Sequence, residues 1–360
     1  MKSKWLISVG LVVCLLMAFA LPMCAPTPPV EEEAPPVEEE LAKYIKAYMA
    51  ITPENNIELC NFIKEELGVE VRQTYTSCGE CEAKLIAEAP RFSADMVIHM
   101  CGPQAFVAKD EGWSIAYDSP IWREASEIWK DPDNYWWSHG NLSFYLVGSK
   151  EKLDAAGYTM PESWDDLLDP KWKGEIVTSS PLTSGAAYRI LFSFITLYGL
   201  NTGKGEEGGW EYIEALDKNI DHYTKSGNAP SDLCGRGEFM LGIAYSVGAL
   251  DRISEGYPLY CTVPKEGTGI GPAPSFILKG TEKEYTCQKI IDLLGSHEGC
   301  QFMANLGGYD TKDPTAVGPT FAEVFPEGIN YIPNIDLAWA YGDKDRLVNE
   351  WKDRIGRPVK

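Results

Sequence analysis

The sequence predicts an α/β protein built from two domains, and three observations carry this prediction. The chain has 360 residues, whereas a single domain usually holds about 100–200. Apolar residues make up 44% of the chain and aromatic residues 11%, enough to build cores rather than a disordered protein. Short strand patterns alternate with helical patterns along the chain, an order typical of parallel sheets covered by helices.

Apolar spacing places the elements in order from residue 41 onward. In sheets of this kind, ligands bind where the carboxyl ends of the strands lead into helices. The loops at those ends are therefore the candidate binding site. The predicted elements are strand 44–51, helix 58–67, strand 69–75, a turn at 77–79, helix 80–89 and strand 95–100, followed later by strand 175–178, helix 186–198 and strand 240–245.

Charge and motifs exclude several classes of function. Lys and Arg total 32 against 53 Asp and Glu, which gives a formal net charge of −21. A nucleic-acid-binding protein needs a basic face to displace counterions from phosphates, so no nucleic-acid partner is expected. The four His residues are scattered, and the chain has no HExxH motif, nucleophile elbow or P-loop. The sequence therefore predicts neither an enzyme nor a bound cofactor.

The first residues have the layout of a bacterial export signal. Lys2 and Lys4 precede an apolar run over 5–21. Cys24 then follows an aliphatic residue by three positions, as the lipid-bearing cysteine of a lipoprotein signal does, although Met23 is larger than the residue usual before it. We therefore predict a lipoprotein-type signal with Cys24 as the lipid anchor to the membrane. A cleaved signal without lipid is the alternative.

A Pro- and Glu-rich segment separates this signal, residues 1–24, from the body. Residues 25–40 repeat Pro-Pro-Val-Glu-Glu-Glu imperfectly, and they are too polar to bury a core. Such a segment suits a stalk between a membrane anchor and a folded body. With either kind of signal, the body is expected to work outside the cytoplasm, in the periplasm or at the cell surface.

A set of ordered segments resembles a known family. Residues 161–174, Pro-Glu-Ser-Trp-Asp-Asp-Leu-Leu-Asp-Pro-Lys-Trp-Lys-Gly, resemble the interdomain signature of ABC-transporter solute-binding proteins, most closely the ferric iron, 2-aminoethylphosphonate and thiamine group. Further segments agree with the family in the same order: 183–185, 209–212, 223–230, 236–243, 263–269 and the tail 335–355.

The resemblance implies a two-lobed class II periplasmic-binding-protein fold, in which each lobe is a mainly parallel sheet flanked by helices. Lobe one would comprise 41–142 plus 272–360, and lobe two 143–271. The lobes would close like a hinge on a ligand in the cleft between them. The function implied is an extracytoplasmic receptor, working as a monomer, that delivers a small molecule to an ABC permease driven by a separate ATPase.

The candidate ligand loops are short, rich in small residues, and open helices or turns. Helix N-termini of this kind hold anionic groups through free backbone N–H groups and the helix dipole. The alternative is that these residues only cap helices and form turns. The predicted ligand-binding residues are Ser77, Gly79, Gly102, Thr183, Ser184, Gly185, Ser226, Gly227 and Tyr245.

The ligand is predicted to be a small organic anion, namely a phosphonate, phosphate ester or carboxylate. Ferric-binding members of the group use two adjacent tyrosines, and here those positions carry Val247 and Gly248, neither of which binds a metal. A hard trivalent ion wants several anionic oxygen ligands together, and Tyr245 has no tyrosine neighbour. No metal-ligating residue is therefore assigned. Ferric iron bound with a helper anion remains the alternative.

The cysteines supply a third, less favoured function. Cys78 and Cys81 form a CxxC motif between a strand and a helix, where a thiol–disulfide oxidoreductase would carry it. A metal site of these two with Cys101 lacks a clear fourth ligand. Eight cysteines in the body allow 105 disulfide pairings, and the sequence does not choose among them. These eight are Cys60, Cys78, Cys81, Cys101, Cys234, Cys261, Cys287 and Cys300.

Overall fold

The computed structural model describes residues 40–100, 102–307 and 309–360. The predicted signal, its Cys24 and the stalk up to residue 39 lie outside the described residues. Residues 40–360 form one compact unit. Within the described part of the chain, no helix combines the length and the apolar character that a membrane span needs.

The elements alternate between strands and helices, as predicted. Three short 3-10 turns, at Trp164–Leu168, Pro170–Trp172 and Leu200–Thr202, supplement them. Up to residue 141 the elements are β1 (Tyr44–Met49), α1 (Pro53–Leu67), β2 (Glu70–Tyr75), α2 (Cys78–Glu88), β3 (Met96–Ile98), α3 (Gly102–Asp110), β4 (Ser114–Ile115) and β5 (Trp137–Asn141). The middle of the chain contains β6 (Phe144–Ser149), α4 (Lys150–Ala156), β7 (Ile176–Ser179), α5 (Gly185–Tyr198), α6 (Gly205–Asp217), β8 (Ile220–Thr224), α7 (Ala229–Gly235), β9 (Leu241–Tyr245), α8 (Ser246–Ser254) and β10 (Leu259–Thr262). The last part contains β11 (Pro272–Leu278), α9 (Glu284–Gly295), α10 (His297–Gly307), α11 (Pro319–Val324), α12 (Leu337–Gly342) and α13 (Lys344–Arg354).

These strands form two separate sheets. The first has the order β2-β1-β3-β11-β4, with β5 paired to β11, and the second has the order β10-β6-β9-β7-β8. Strands β1, β2 and β3 are parallel to one another, as are β7, β8 and β9. Each sheet is nevertheless mixed rather than mainly parallel, because β11 runs antiparallel to β3, β4 and β5, and β6 runs antiparallel to β9 and β10. The chain passes from the first sheet to the second just before β6, and it returns to the first sheet just before β11.

The two passages lie side by side and are hydrogen-bonded to each other. The backbone N–H of Leu142 donates to the carbonyl of Gly271 at 2.8 Å, and the backbone N–H of Phe144 donates to Thr268 Oγ1 at 3.2 Å. The buried Trp164 of the interdomain signature donates its indole N–H to the carbonyl of Gly267 at 2.8 Å. The signature therefore ties the core of the second sheet to the passage that leads back to the first.

The tail packs against the second sheet, although the sequence placed it in lobe one. Leu347 and Trp351 are buried in the core of the second sheet, where Trp351 meets the ring of Tyr223 edge-on at 5.1 Å. The two residues are four apart in α13, so they form one apolar stripe. Ion pairs of Arg346 with Glu206 and of Arg354 with Glu207 add polar contacts between the tail and α6.

Candidate functional site

The loops predicted for lobe two meet at the N-terminus of α5. Ser184 caps this helix, since its Oγ accepts a hydrogen bond from the backbone N–H of Ala187 at 3.3 Å. Thr183 donates its hydroxyl to the carbonyl of Lys225 at 2.9 Å, which joins the loop before α5 to the loop after β8. Gly185 borders open space, where an added Cβ would touch nothing. Because the Ser184 oxygen acts as an acceptor in the cap, its O–H remains able to donate to a ligand.

Gly227 is the point where three of the predicted residues come together. A Cβ added to Gly227 would lie 2.9 Å from the Cβ of Ala186, 3.2 Å from Ser184 Oγ and 3.3 Å from the Cβ of Tyr245. The backbone N–H of Tyr245 donates to the carbonyl of Gly227 at 3.0 Å. The neighbouring Ser226 accepts a hydrogen bond from a backbone N–H two residues on at 3.2 Å. Glycine is therefore required at position 227 for the loops after β8 and β9 to approach α5.

The loops predicted for lobe one are less closely gathered. Ser77 and Glu80 form a reciprocal cap at the start of α2, with hydrogen bonds of 2.8 and 3.3 Å, and Gly79 is exposed. These features fit the capping interpretation, and no described contact joins Ser77 or Gly79 to the loops of the second sheet. Gly102 differs, because it is buried at the start of α3 and contacts the ring of Tyr341 from the tail.

Arg189, which the sequence analysis missed, lies at the centre of this site. Its side chain is only 7% exposed, and its stem packs against Gly271, beside the carbonyl of Leu142, at the passage between the sheets. Its Nε has no hydrogen-bond partner among the described residues, and no ion pair in that part of the chain involves it. Its polar neighbour is the neutral phenol of Tyr341, and burying a guanidinium without a counterion costs several kcal/mol. An anion that enters the site would supply the missing partner.

Tyr245 lies near the guanidinium of Arg189, and Tyr309 lies near Tyr245 and His99. Burial raises the pKa of Tyr245 to about 12, and the positive charge of Arg189 opposes that rise. Tyr309 packs edge-on against His99, with ring centroids 4.9 Å apart, and its pKa is raised by burial and by the proximity of Tyr245. His99 has a φ of 50°, and neither of its ring nitrogens has a partner among the described residues. These side chains are neutral at pH 7. The charges that act on them are the guanidinium of Arg189, near Tyr245, and the carboxylate of Asp251, which adds to the rise in the pKa of Tyr245 and Tyr309.

A cavity of about 990 Å³ opens next to Tyr341. It lies between α3, the segment 127–136 and the tail segment 331–345, with Ile270 and Tyr341 on its inner side. Its size is at the upper end of the range for small-molecule pockets. None of the nine predicted ligand residues lines this cavity, so Tyr341 is the side chain that connects it with the loops at Arg189.

Metal binding and thiol chemistry find little support in the described residues. No group of three or more His, Cys, Asp or Glu side chains in that part of the chain is arranged to hold a metal ion. Cys81 is fully buried, and burial raises the pKa of its thiol to about 12, so it is no reactive thiolate. The described thiols that are free of disulfide bonds are Cys60, Cys81, Cys234, Cys261, Cys287 and Cys300.

The arrangement of two sheets has known counterparts. Residues 93–328 match the family described as bacterial extracellular solute-binding protein. The chain belongs to that family. The predicted resemblance and the two-lobed class II fold are thereby confirmed for this solute-binding protein, and the family is extracytoplasmic.

Solved structures agree over most of the chain. The periplasmic binding protein AfuA of Actinobacillus pleuropneumoniae, solved with fructose-6-phosphate, is 26% identical and has a TM-score of 0.69, covering 88% of this chain and 99% of that one. A Trichodesmium protein (IdiA, FutA) in complex with iron and citrate has a TM-score of 0.72 at 15% identity, covering 88% and 100% of the two chains. At that identity, the second likeness shows the fold alone.

Two sequence relatives match shorter stretches. A Haemophilus influenzae protein is 34% identical over 206 residues, which cover 54% of this solute-binding protein and 56% of the relative. A probable ABC transporter periplasmic-binding protein of Sinorhizobium fredii, y4fP, is 25% identical over 246 residues, which cover 64% and 63%. The match thus spans less than two thirds of the length of either relative.

Proposed function

We propose that this protein is the extracytoplasmic receptor of an ABC importer and that it captures a small organic anion. The proposal rests mainly on the guanidinium of Arg189, which is buried between the two sheets and has no counterion among the described residues. A phosphate ester, phosphonate or carboxylate would neutralise it and form charge-assisted hydrogen bonds. The neighbouring loops add the hydroxyls of Ser184 and Ser226 and the N-terminus of α5.

Among these anions, phosphate monoesters are the leading class. Support comes from AfuA, whose solved structure contains fructose-6-phosphate and which is 26% identical to this chain. Ferric iron with a helper anion is the weaker candidate. Burial raises the pKa of Tyr245 to about 12, which disfavours the phenolate that would bind iron, and Val247 packs in the core of the first sheet.

Protein purified without refolding should carry or bind one such anion, and Ser184→Ala should weaken that binding. Loss of one hydrogen bond to a charged oxygen costs about 1.5–3 kcal/mol, or roughly ten- to a hundredfold in affinity. Native mass spectrometry identifies a retained ligand by its mass. Isothermal titration then compares wild type and variant against fructose 6-phosphate, other phosphate monoesters, phosphonates, carboxylates and ferric citrate.

Ser193→Ala is the matched control, since Ser193 is a fully buried serine further along the same helix. It should leave the affinity unchanged. Tight iron binding with a visible phenolate-to-iron absorption band, and indifference to Ser184→Ala, would favour the iron alternative. Turnover of a substrate by the protein alone would refute the transport proposal.

We further propose that Cys24 carries a lipid that tethers the receptor near its permease through the stalk 25–40. A tether raises the local concentration of receptor at the permease without any new contact. Cys24→Ser should move the protein out of the membrane fraction or leave its signal uncleaved, as seen by fractionation and intact mass. Cys14→Ser, in the same signal, is the control and should change neither property. Unchanged membrane association of Cys24→Ser would refute the lipid anchor.

A further inference from the structure

We propose that Tyr341, on the tail helix α12, is a ligand-binding residue that completes the anion site at Arg189. The inference rests on the proposed anion-binding function and extends it to a residue outside the predicted loops. Three features of the structure support it: the position of the side chain beside Arg189, its unpartnered hydroxyl, and its contact with the other lobe.

The tail is fixed on α5 in a way that places Tyr341 beside Arg189. The hydroxyl of Tyr188 donates to the carbonyl of Ala340, and the ring of Tyr341 meets Phe192, which lies one helical turn after Arg189. Burial raises the pKa of Tyr341, and the guanidinium of Arg189 opposes that rise by its charge and by a hydrogen bond to the phenol oxygen. Tyr341 is therefore a neutral phenol at pH 7, and its O–H can donate a hydrogen bond to an anion held by Arg189.

The O–H proton of Tyr341 has no acceptor among the described residues. The phenol oxygen is buried, and its one polar neighbour there is Arg189, which can only donate. Leaving a buried O–H unpaired costs free energy. The ring itself meets Phe106 at 5.2 Å and Phe192 at 6.1 Å, both edge-on. Phenylalanine would suit these apolar surroundings better, so the hydroxyl indicates a partner that arrives with the ligand.

Tyr341 also reaches across to the first sheet. The tail packs against the core of the second sheet, yet the Tyr341 ring lies on Gly102, the first residue of α3. A Cβ added to Gly102 would stand 2.5 Å from the hydroxyl oxygen. An anion at this point would meet Arg189 from one lobe and the free N–H groups of the first turn of α3 from the other. Tyr341 also lines the cavity of about 990 Å³.

The test compares Tyr341→Phe with Tyr198→Phe in isothermal titrations with inorganic phosphate and glycerol 3-phosphate. Tyr198 is the matched control, because its hydroxyl is likewise buried without a described partner, but its ring stacks on Tyr212 at 3.7 Å in the core of the second sheet. Tyr341→Phe should weaken binding of the phosphate probes roughly ten- to a hundredfold, since one bond to a charged oxygen is lost. Its melting temperature should not fall. Tyr198→Phe should keep the wild-type affinity.

A wild-type affinity in Tyr341→Phe overturns the inference while the anion-receptor proposal stands. A wild-type protein that binds neither phosphate probe nor any other anion of the panel refutes the proposed function and this inference with it. Gly102→Ala provides a second variant, because its new methyl group displaces the Tyr341 hydroxyl. It should weaken the same probes, and full affinity in a folded Gly102→Ala protein would also count against the role of Tyr341.

Discussion

Replacement of Arg189 by Met is expected to lower anion affinity by about two to three orders of magnitude without destabilising the protein. Truncating one partner of a buried, hydrogen-bonded charge pair costs about 2–5 kcal/mol of binding free energy, and the Arg189 side chain is only 7% exposed. In the ligand-free protein the guanidinium has no described counterion, so its removal relieves a buried charge. A Met side chain at position 189 replaces much of the aliphatic part of the arginine, which packs on Gly271.

Isothermal titration with the best-bound anion and thermal unfolding of the ligand-free protein measure the two effects. Arg252→Met is the control, because Arg252 is already paired with Asp232 and Glu255. The control should keep its affinity and lose some stability, the reverse of the Arg189 variant. An Arg189→Met protein that binds the anion normally would remove the basis of the proposed function.

Local patterns in the sequence predicted the order of elements but not all of their ends. Helix α1 was predicted over 58–67, whereas it begins at Pro53. Apolar spacing does not show this start, because the first turn is polar. Thr52 nevertheless caps the helix by accepting a hydrogen bond from the backbone N–H of Asn55, and Pro53 occupies the first helical position. A search for capping residues would have found this start where apolar spacing could not.

Long-range packing was beyond the reach of the sequence. The stripe of Leu347 and Trp351 marks α13 as amphipathic, but nothing in the stripe says which core it covers. Either lobe could bury the same apolar area. The choice is made by contacts over large sequence separations, such as Trp351 against Tyr223 and Arg354 against Glu207.

Some residues of the candidate site could be predicted from local sequence patterns, and others depend on long-range packing. Ser184, Gly227 and Tyr245 could be predicted because each ends a strand or opens a helix, and the structure brings them together. The sequence also indicated Arg189, because it is the only charged residue in the apolar helix α5, but this indication was overlooked. Tyr341 carried none, because its place beside Arg189 depends entirely on where the tail packs.

Acid is expected to destabilise this protein below pH 6.5, and His99 should account for about 2 kcal/mol of the loss at pH 5. Burial lowers the pKa of His99 from 6.5 to about 3. The unfolded chain therefore binds a proton at this residue below pH 6.5, whereas the folded protein does so only near pH 3, so stability falls as the pH decreases through that window. His139 beside it is also buried, with a pKa lowered by burial and by His99, and it adds to the loss.

His99→Asn tests this contribution, because Asn does not titrate and tolerates the positive φ of 50° at this position. Chemical unfolding of wild type and variant at pH 7, 6 and 5 gives the two slopes of unfolding free energy against pH, which are compared instead of the absolute stabilities. The variant should lose about 2 kcal/mol less than wild type between pH 7 and 5. The wild-type slope is the reference. If His99→Asn keeps that slope, the imidazole of His99 is able to take up a proton in the folded protein, and the site between the lobes holds a second positive charge in acid.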